Sequence, residues 1–300
     1  MRKKKIFVVV GTRPEAIKMA PVILALKKEP WADVRVMATA QHRHMLDQVL
    51  NFFGINPDID LDIMRPNQTL AKLTARLLLA LDDVLQAEKP DLVLVQGDTT
   101  TVLTMALGCF YHRIPIGHVE AGLRTWDMQN PFPEEANRVI TSRLAHWHFA
   151  PTEGARQNLL HEGISDRDII VTGNTVIDAL LMTAAKDLDL GIELDPEKRL
   201  ILITSHRREN FGEPFLNICR ALRTLAENNP EVQFLYPVHP NPNVKAVAYE
   251  VLELCPNVHL CAPLDYAPFV AAMKCAYLII SDSGGGCKRK PLPWLNRYWY

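Results

Sequence analysis

Regular alternation of short β-branched runs with longer helical patterns predicts an α/β protein with parallel sheets covered on both faces. Three observations carry the prediction. A run such as Ile6–Val10 ends at Gly11 and gives way to a helix-like pattern, and this exchange recurs down the chain. The exchange occurs in two series, so two doubly wound, Rossmann-like domains flank a cleft. Charged residues gather just after the apolar runs, at the strand ends where open α/β sheets bind ligands.

In chain order, Ile6–Val10 reads as the first strand. The basic Met1–Lys5 before it superficially resembles a signal peptide. The apolar stretch is short, however, and Arg13, Glu15 and Lys18 follow at once, which suits a strand better than a signal core. Val34–Ala38, Leu92–Val95, Ile114–Val119 and His148–Ala150 are the next strands. Ala16–Lys28, His44–Phe53, Leu70–Glu88 and Thr100–Tyr111 are the helices between them. The second series has strands at Leu200–Thr204, Val232–Val238, Val258–Cys261 and Leu278–Ser281, with helices at Phe215–Glu227 and Val244–Leu254. The joint lies in Gly173–Lys198: a helix at Val176–Lys186, then Asp187–Asp195 as an exposed connection. The expected domains are residues 1–172 and 173–286, followed by an aberrant tail, 287–300.

Composition narrows the function classes. The 300 residues are 48% hydrophobic, enough for a sizeable core. A formal net charge of -1 argues against a general nucleic-acid or membrane-surface binder. The six cysteines form no CxxC pair and sit mostly in apolar runs, which suits buried thiols in a reducing cytosol. No transmembrane segment is visible.

The segment His118-Val-Glu-Ala-Gly-Leu-Arg-Thr125, followed by Pro133-Glu-Glu-Ala-Asn-Arg138, carries the densest chemistry. It interleaves Glu120, Glu134 and Glu135 with Arg124 and Arg138, with Gly122, Pro131 and Pro133 at the bends. Carboxylates delivered on a kinked loop suggest acid/base work on a substrate. Gly11-Thr-Arg-Pro-Glu-Ala16 follows the first strand, placing Arg13 and Lys18 for an anionic group, or it is an ordinary β–α turn with Pro14 at the helix start. Asp98, in Gln96-Gly-Asp-Thr-Thr-Thr101, caps the next helix or projects into the cleft, and capping is the simpler reading. In the second series His206 and Arg207, then His239, then Ser283, Gly284 and Gly285 follow strands, a set suited to phosphate or diphosphate. The GxGxxG, P-loop, HExxH and GxSxG patterns are absent, as is a Tyr followed four residues later by Lys.

At these residues the chain resembles the non-hydrolysing UDP-N-acetylglucosamine 2-epimerases. The matching blocks include GTRPEAIKMAP (11–21), TAQHR (39–43), VQGDTTT (95–101), HVEAGLRT (118–125), PEEANR (133–138), GNTVIDAL (173–180), SHRRENFG (205–212), YPVHPNPNV (236–244), PLDYAPFV (263–270) and SDSGG (281–285). The resemblance implies a GT-B architecture and interconversion of UDP-N-acetylglucosamine and UDP-N-acetylmannosamine, through loss and re-addition of UDP around bound 2-acetamidoglucal. It implies Asp98, Glu120, Glu134 and His206 as catalytic residues. Arg13, Lys18, Arg138, Arg207, His239, Ser283, Gly284 and Gly285 are the implied contacts to substrate and UDP. Gln41, His42, Arg65 and Gln68 are implied at an activating substrate site. No cofactor and no metal are expected. The implied partners are the nucleotide sugar, UDP and a second copy of the chain, in the cytoplasm, with no nucleic acid and no membrane. The product would feed bacterial surface polysaccharide synthesis. Other readings of the same fold are a GT-B glycosyltransferase, a hydrolysing 2-epimerase or a non-catalytic sugar-nucleotide binder.

After Gly285 the resemblance stops. Family members continue with a Gln-Glu-Glu helix, whereas residues 287–300 hold four cations, no acid, two Trp and two Tyr. Codons permitted for Gly286–Tyr300, read in a shifted frame, spell the Gln-Glu-Glu continuation. The tail is therefore expected to be a frameshift product. Without the ribose-binding carboxylate and the closing elements, the strand at Leu278–Ser281 is expected to expose its edge. The chain is then expected to lack epimerase activity and to bind UDP weakly.

Overall fold

A computed structural model describes residues 2–39, 43–63, 65, 68–205, 212–282 and 298–299, with residues 43, 44, 298 and 299 described by backbone alone. The chain divides into two compact units, Met1–Met182 and Thr183–Tyr300.

The first unit is a seven-stranded, wholly parallel sheet in the order β3-β2-β1-β4-β5-β6-β7. Its strands are β1 (Lys4–Val10), β2 (Ala32–Ala38), β3 (Ile59–Asp60), β4 (Leu92–Gln96), β5 (Ile116–Val119), β6 (Trp147–Ala150) and β7 (Ile169–Val171). Its helices are α1 (Arg13–Leu26), α2 (Arg43–Phe52), α3 (Leu70–Glu88), α4 (Thr100–Tyr111), α5 (Glu134–Leu144), α6 (Glu153–His161) and α7 (Thr175–Ala184), the last running across the division. β1 is buried along five successive residues, as a strand covered on both faces must be. α3 buries Leu73, Leu77, Leu81 and Leu85, one side chain per turn, against Val102, Met105, Ala106 and Cys109 of α4. Gly108 permits this approach, since a Cβ there would stand 3.2 Å from the Leu85 side chain.

The second unit has strands β8 (Arg199–Thr204), β9 (Val232–Pro237), β10 (Val258–Cys261), β11 (Ala276–Ser281) and β12 (Tyr298–Trp299), all parallel, in the order β10-β9-β8-β11-β12. Helices α8 (Glu213–Asn228), α9 (Pro242–Leu252) and α10 (Tyr266–Cys275) accompany them. Phe215, Cys219 and Leu222 of α8 pack with Phe234 and Tyr236 of β9 and Val244, Ala248 and Leu252 of α9.

Several expectations need correction. The division falls after Met182, within the expected Gly173–Lys198 segment, and Asn174 ties the start of α7 to Glu120 of the first unit. Residues 187–195 are not a free connection: Leu190, Ile192 and Leu194 pack on the core of the second unit, and the Asp195 amide donates to Gln233 Oε1 at 3.0 Å. The edge of β11 is not bare, since Tyr298–Trp299 pair with Ile279–Ile280. The alternation reading also missed α5, α6, α10, β3 and β7. Cys109, Cys219 and Cys255 are buried, Cys261 is half-buried and Cys275 is exposed.

Two histidines set an acid limit on the first sheet. His118 and His148 face each other in register on β5 and β6, both buried. Burial lowers the pKa of each to about 4, against about 6.5 in an unfolded chain. Below about pH 6.5 the unfolded chain therefore takes protons that the native imidazoles refuse, and stability falls as pH drops towards 4. Each imidazole is expected to cost about 2 kcal/mol by pH 5. Glu15 and Asp98, with pKa values raised by burial, oppose this trend. A urea midpoint clearly lower at pH 5 than at pH 7 is the expected result; equal midpoints would contradict it.

Candidate active site

The first sheet changes direction of winding between β1 and β4. The chain runs outward through β2 and β3, then returns beside β1 and continues outward through β5, β6 and β7. Ligands bind at such a switch point, beyond the C-terminal strand ends. The ends of β1, β4 and β5, three adjacent strands, lead into Arg13 and Lys18, into Asp98 and into Glu120.

The turn after β1 is built by a capping box. Thr12 caps α1, accepting the Glu15 amide, while Glu15 Oε2 accepts the Gly11 and Thr12 amides at 2.5 and 2.9 Å. Thr99 donates its hydroxyl to Glu15 Oε1 at 2.6 Å, so Glu15 also ties the β1 turn to the β4 turn. Burial raises the pKa of Glu15, and the hydrogen bonds from Thr99, Gly11 and Thr12 oppose the rise. A Cβ on Gly11 would lie 2.6 Å from Thr39 Oγ1 and 2.8 Å from Thr101 Oγ1, so only glycine fits where the three turns converge. The turn is a well-capped helix start, and Arg13 and Lys18 lie in the helix it opens. Arg13 is half-buried in the first turn of α1 and makes no ion pair or hydrogen bond among the described residues. Lys18, one turn further, pairs with Glu120 Oε2 at 2.5 Å.

Glu120 follows β5 with φ 64°, in the left-handed region that costs a non-glycine residue about 1–2 kcal/mol. Its carboxylate accepts from three side chains: Lys18 Nζ at 2.5 Å and Gln96 Nε2 at 2.5 Å on Oε2, and Asn174 Nδ2 at 2.9 Å on Oε1. Gly122 follows at φ 87°, where a Cβ would stand 2.2 Å from the Ala155 carbonyl oxygen, so the turn tolerates no side chain.

Asp98 does not cap α4. Thr99 does so, accepting the Val102 amide. Asp98 is left to pair with Arg138 Nη1 at 3.2 Å, and its loop is held on both sides. His118 Nε2 lies 2.7 Å from the Gly97 carbonyl, which as an acceptor assigns the ring proton to that nitrogen. Asn137 Nδ2 donates to the Asp98 carbonyl at 2.8 Å. Burial raises the pKa of Asp98; Arg138 opposes the rise, and the neighbouring charges of Glu134 and Glu120 add to it.

Glu134 and Glu135 are not on a loop, as expected, but open α5, where acidic residues suit the helix dipole. They then separate in role. Glu135 is buried, accepts the Thr125 and Trp126 amides at 3.0 Å each, and takes Arg138 Nε at 2.6 Å on its other oxygen. Burial pushes its pKa up, but Arg138 and the two amides outweigh burial and hold it below the ordinary range. Glu134 is half-buried and makes no side-chain hydrogen bond among the described residues. Arg138 thus bridges a structural carboxylate, Glu135, and a site carboxylate, Asp98. Arg124 belongs to the frame: its buried guanidinium pairs with Glu162 at 2.7 Å and donates to Ser142 at 2.9 Å.

The sequence reading missed Gln96, Asn137 and Asn174 as supports. Asn174 sits in the GNTVIDAL block, but its partner is far away in sequence. Arg65 and Gln68 precede α3; Gln68 Oε1 accepts Arg76 Nη1 at 2.8 Å. Gln41 and His42 lie outside the described residues.

In the second unit the switch point falls between β8 and β11. Ser205 Oγ donates to Asp282 Oδ2 at 3.0 Å, and Thr204 to Ser281 at 2.8 Å. The strand ends leading into His206 and Arg207, and into Ser283, Gly284 and Gly285, therefore lie side by side; those five residues themselves are outside the described set. His239 is exposed after β9, with Nδ1 accepting the Asn241 amide at 3.2 Å. Among the described residues no group of three or more potential ligands could hold a metal ion, and no helix is long and apolar enough to cross a membrane.

A family model described as UDP-N-acetylglucosamine 2-epimerase matches residues 24–289. The UDP-N-acetylglucosamine 2-epimerase of Yersinia pestis is 54% identical over 291 residues, covering 94% of this chain and 77% of that protein. That of Escherichia coli K12 is 53% identical with the same coverage. The crystal structure of UDP-GlcNAc 2-epimerase from Neisseria meningitidis bound to UDP-GlcNAc matches with a TM-score of 0.83 at 49% identity, over 96% of this chain and 80% of that one. The Methanocaldococcus jannaschii enzyme in complex with UDP-GlcNAc and UDP matches with a TM-score of 0.73 at 34% identity, over 94% of this chain and 79% of that one. The chain shares with these structures the GT-B class of two Rossmann-like units.

Proposed function

The chain belongs to the UDP-N-acetylglucosamine 2-epimerase family, and from that premise we propose that it inverts C2 of UDP-N-acetylglucosamine without net hydrolysis. The observation that carries this reading is the cluster of Asp98, Glu120 and Glu134 on adjacent strand ends and the first turn of α5, with Lys18 and Arg138 interleaved.

The chemistry explains why the residue types are needed. The C2 proton of the sugar is not acidic, because no adjacent carbonyl stabilises an anion. Departure of UDP from C1 must run ahead, leaving positive charge on C1 and the ring oxygen. A carboxylate then takes the C2 proton and the C–H electrons form the C1–C2 double bond of 2-acetamidoglucal. Re-addition of UDP with protonation at the opposite face completes the inversion. Such a route needs a fixed negative charge near the sugar and at least one carboxyl group that changes protonation state. Glu120, paired with Lys18, suits the fixed charge. Asp98, whose pKa burial raises, and Glu134, which lacks a hydrogen-bond partner among the described residues, suit the moving proton. Arg13, whose side chain makes no ion pair or hydrogen bond among the described residues, suits the departing diphosphate; in the second unit the strand ends that lead into His206, Arg207 and Ser283–Gly285 suit phosphate as well. His239 sits at the same level of the second sheet, at a neighbouring strand end.

The epimerase relatives matched over 94% of the chain favour an active enzyme over the inactive chain expected from the tail, and incubation with UDP-N-acetylglucosamine in deuterated water tests the proposal. UDP-N-acetylmannosamine carrying deuterium at C2 is the expected product. Free N-acetylmannosamine would establish hydrolysis instead, and absence of any C2 exchange would remove the activity from this chain.

We also propose a homodimer through the outer face of α3 and α4. Leu79, Phe110 and Tyr111 are 72%, 59% and 63% exposed on these two packed helices, large apolar side chains of the kind that a partner surface covers. Twice the monomer mass by light scattering is expected, and a monomer mass at micromolar concentration would refute it.

A further inference from the structure

We propose that Asn174 and Gln96 are positioning residues that fix the plane of the Glu120 carboxylate. The inference rests on reading Glu120 as a catalytic group.

A single ion pair does not orient a carboxylate. Lys18 reaches only Oε2 and carries no directional preference beyond its three protons, so the carboxylate could turn about its last bond. Gln96 Nε2 adds a second donor on the same oxygen at 2.5 Å, from a side chain 2% exposed at the end of β4. Asn174 Nδ2 adds the donor that matters most, 2.9 Å from the other oxygen, Oε1. Three donors from α1, β4 and the β7–α7 turn then fix both oxygens and the plane between them. The backbone of Glu120 lies in the left-handed region, and such a residue persists only where its surroundings over-determine it.

Asn174 is itself locked. Its Oδ1 accepts the Val176 amide at 3.1 Å, at the start of α7. That bond assigns the amide: oxygen to the helix, nitrogen to Glu120. The two duties together explain the residue type. Asp, Ser and Asn all serve at a helix start, and as a cap Asp is the equal of Asn. Asp would place a second carboxylate against Glu120, and Ser is too short to reach across. Asn is the cap that also donates a hydrogen bond, so a purely structural cap would accept Asp while a positioning residue would not.

The test compares kcat, KM and Tm for Asn174→Asp, Asn174→Ser, Glu120→Gln and the double variant Glu120→Gln/Asn174→Ser. Asn174→Asp is expected to keep Tm within a few degrees, keep KM within about twofold and lower kcat at least about tenfold, since displacement of a reacting group by about 1 Å costs up to about a hundredfold. Asn174→Ser keeps the cap without adding charge and is expected to show the same split, which covers the case of an Asp variant that folds poorly. In the Glu120→Gln background, Asn174→Ser is expected to change kcat less than about twofold, because residues acting through one group are not additive. Wild-type kcat in both single variants, or a full additive loss in the double variant, would overturn the inference. Undiminished turnover in Glu120→Gln alone would overturn the reading of the site and the inference with it. Loss in Glu120→Gln with none in either Asn174 variant would leave the site standing and remove only the positioning role.

Discussion

Glu120→Gln is expected to lower kcat by about two to four orders of magnitude, the range for removing a charged group that stabilises a transition state. The change keeps the volume of the side chain and its acceptor oxygen for Gln96 or Asn174, and it removes the charge opposite Lys18. UDP affinity is expected to stay near that of the parent, because the charge is needed at the sugar and not at the diphosphate. Steady-state rates with UDP-N-acetylglucosamine, together with calorimetric titration of UDP, separate the two effects. Turnover within about threefold of the parent would remove Glu120 from the chemistry.

Arg138→Met is expected to destabilise the first unit by about 3–5 kcal/mol, the cost of leaving a buried carboxylate without its partner. Arg138 holds Glu135, which is 1% exposed, and at the same time pairs with Asp98 at 3.2 Å. Met keeps the aliphatic stem without the guanidinium, so the loss is chiefly one of charge and hydrogen bonds. Glu135 would keep the Thr125 and Trp126 amides but lose the guanidinium that holds its pKa down. Urea unfolding measures the loss, and Arg138→Met combined with Glu135→Gln should recover part of it. A midpoint equal to the parent's would mean that Glu135 protonates at little cost. Activity is expected to fall as well, since Asp98 loses its only ion-pair partner among the described residues.

Much of the site was legible because its residues sit next to strong local patterns. Arg13, Lys18, Asp98 and Glu120 all follow apolar runs that could only be strands, and the strand-end rule then places them on one rim of the sheet. α5 was not legible. Pro131 and Pro133 masked its start, its early residues are charged, and its buried face is formed by Glu135, Asn137, Arg138, Thr141 and Ser142 instead of an apolar stripe. Asn137 and Arg138 on that face hold Asp98 and its loop, and Glu135 and Ser142 hold arginines, so polar partners replaced the apolar stripe that marks a helix. Asp98 misled in the opposite way: Asp before a helix is a good cap, but Thr99 is one residue nearer and took that duty. Residues 187–195 misled because Asp187, Asp189, Glu193 and Asp195 hid the alternating Leu190, Ile192 and Leu194, which pack on the second core.

What the sequence determined by itself is local. The apolar runs set the strands, the periodic leucines of α3 set its buried face, and Thr12 with Glu15 three residues later set the start of α1. Each of these needs only neighbours within a few residues. The partners that make a site were decided by the tertiary structure. Lys18 meets Glu120 across 102 positions, Asn174 meets Glu120 across 54, and Arg138 meets Asp98 across 40. No local pattern fixes those pairs, because they follow from the order β1-β4-β5 in the sheet and from the parallel register that brings the three strand ends level. Strand order is a property of how whole faces cover one another, and only the assembled sheet turns a carboxylate, an ammonium and two amides into one charged, oriented group.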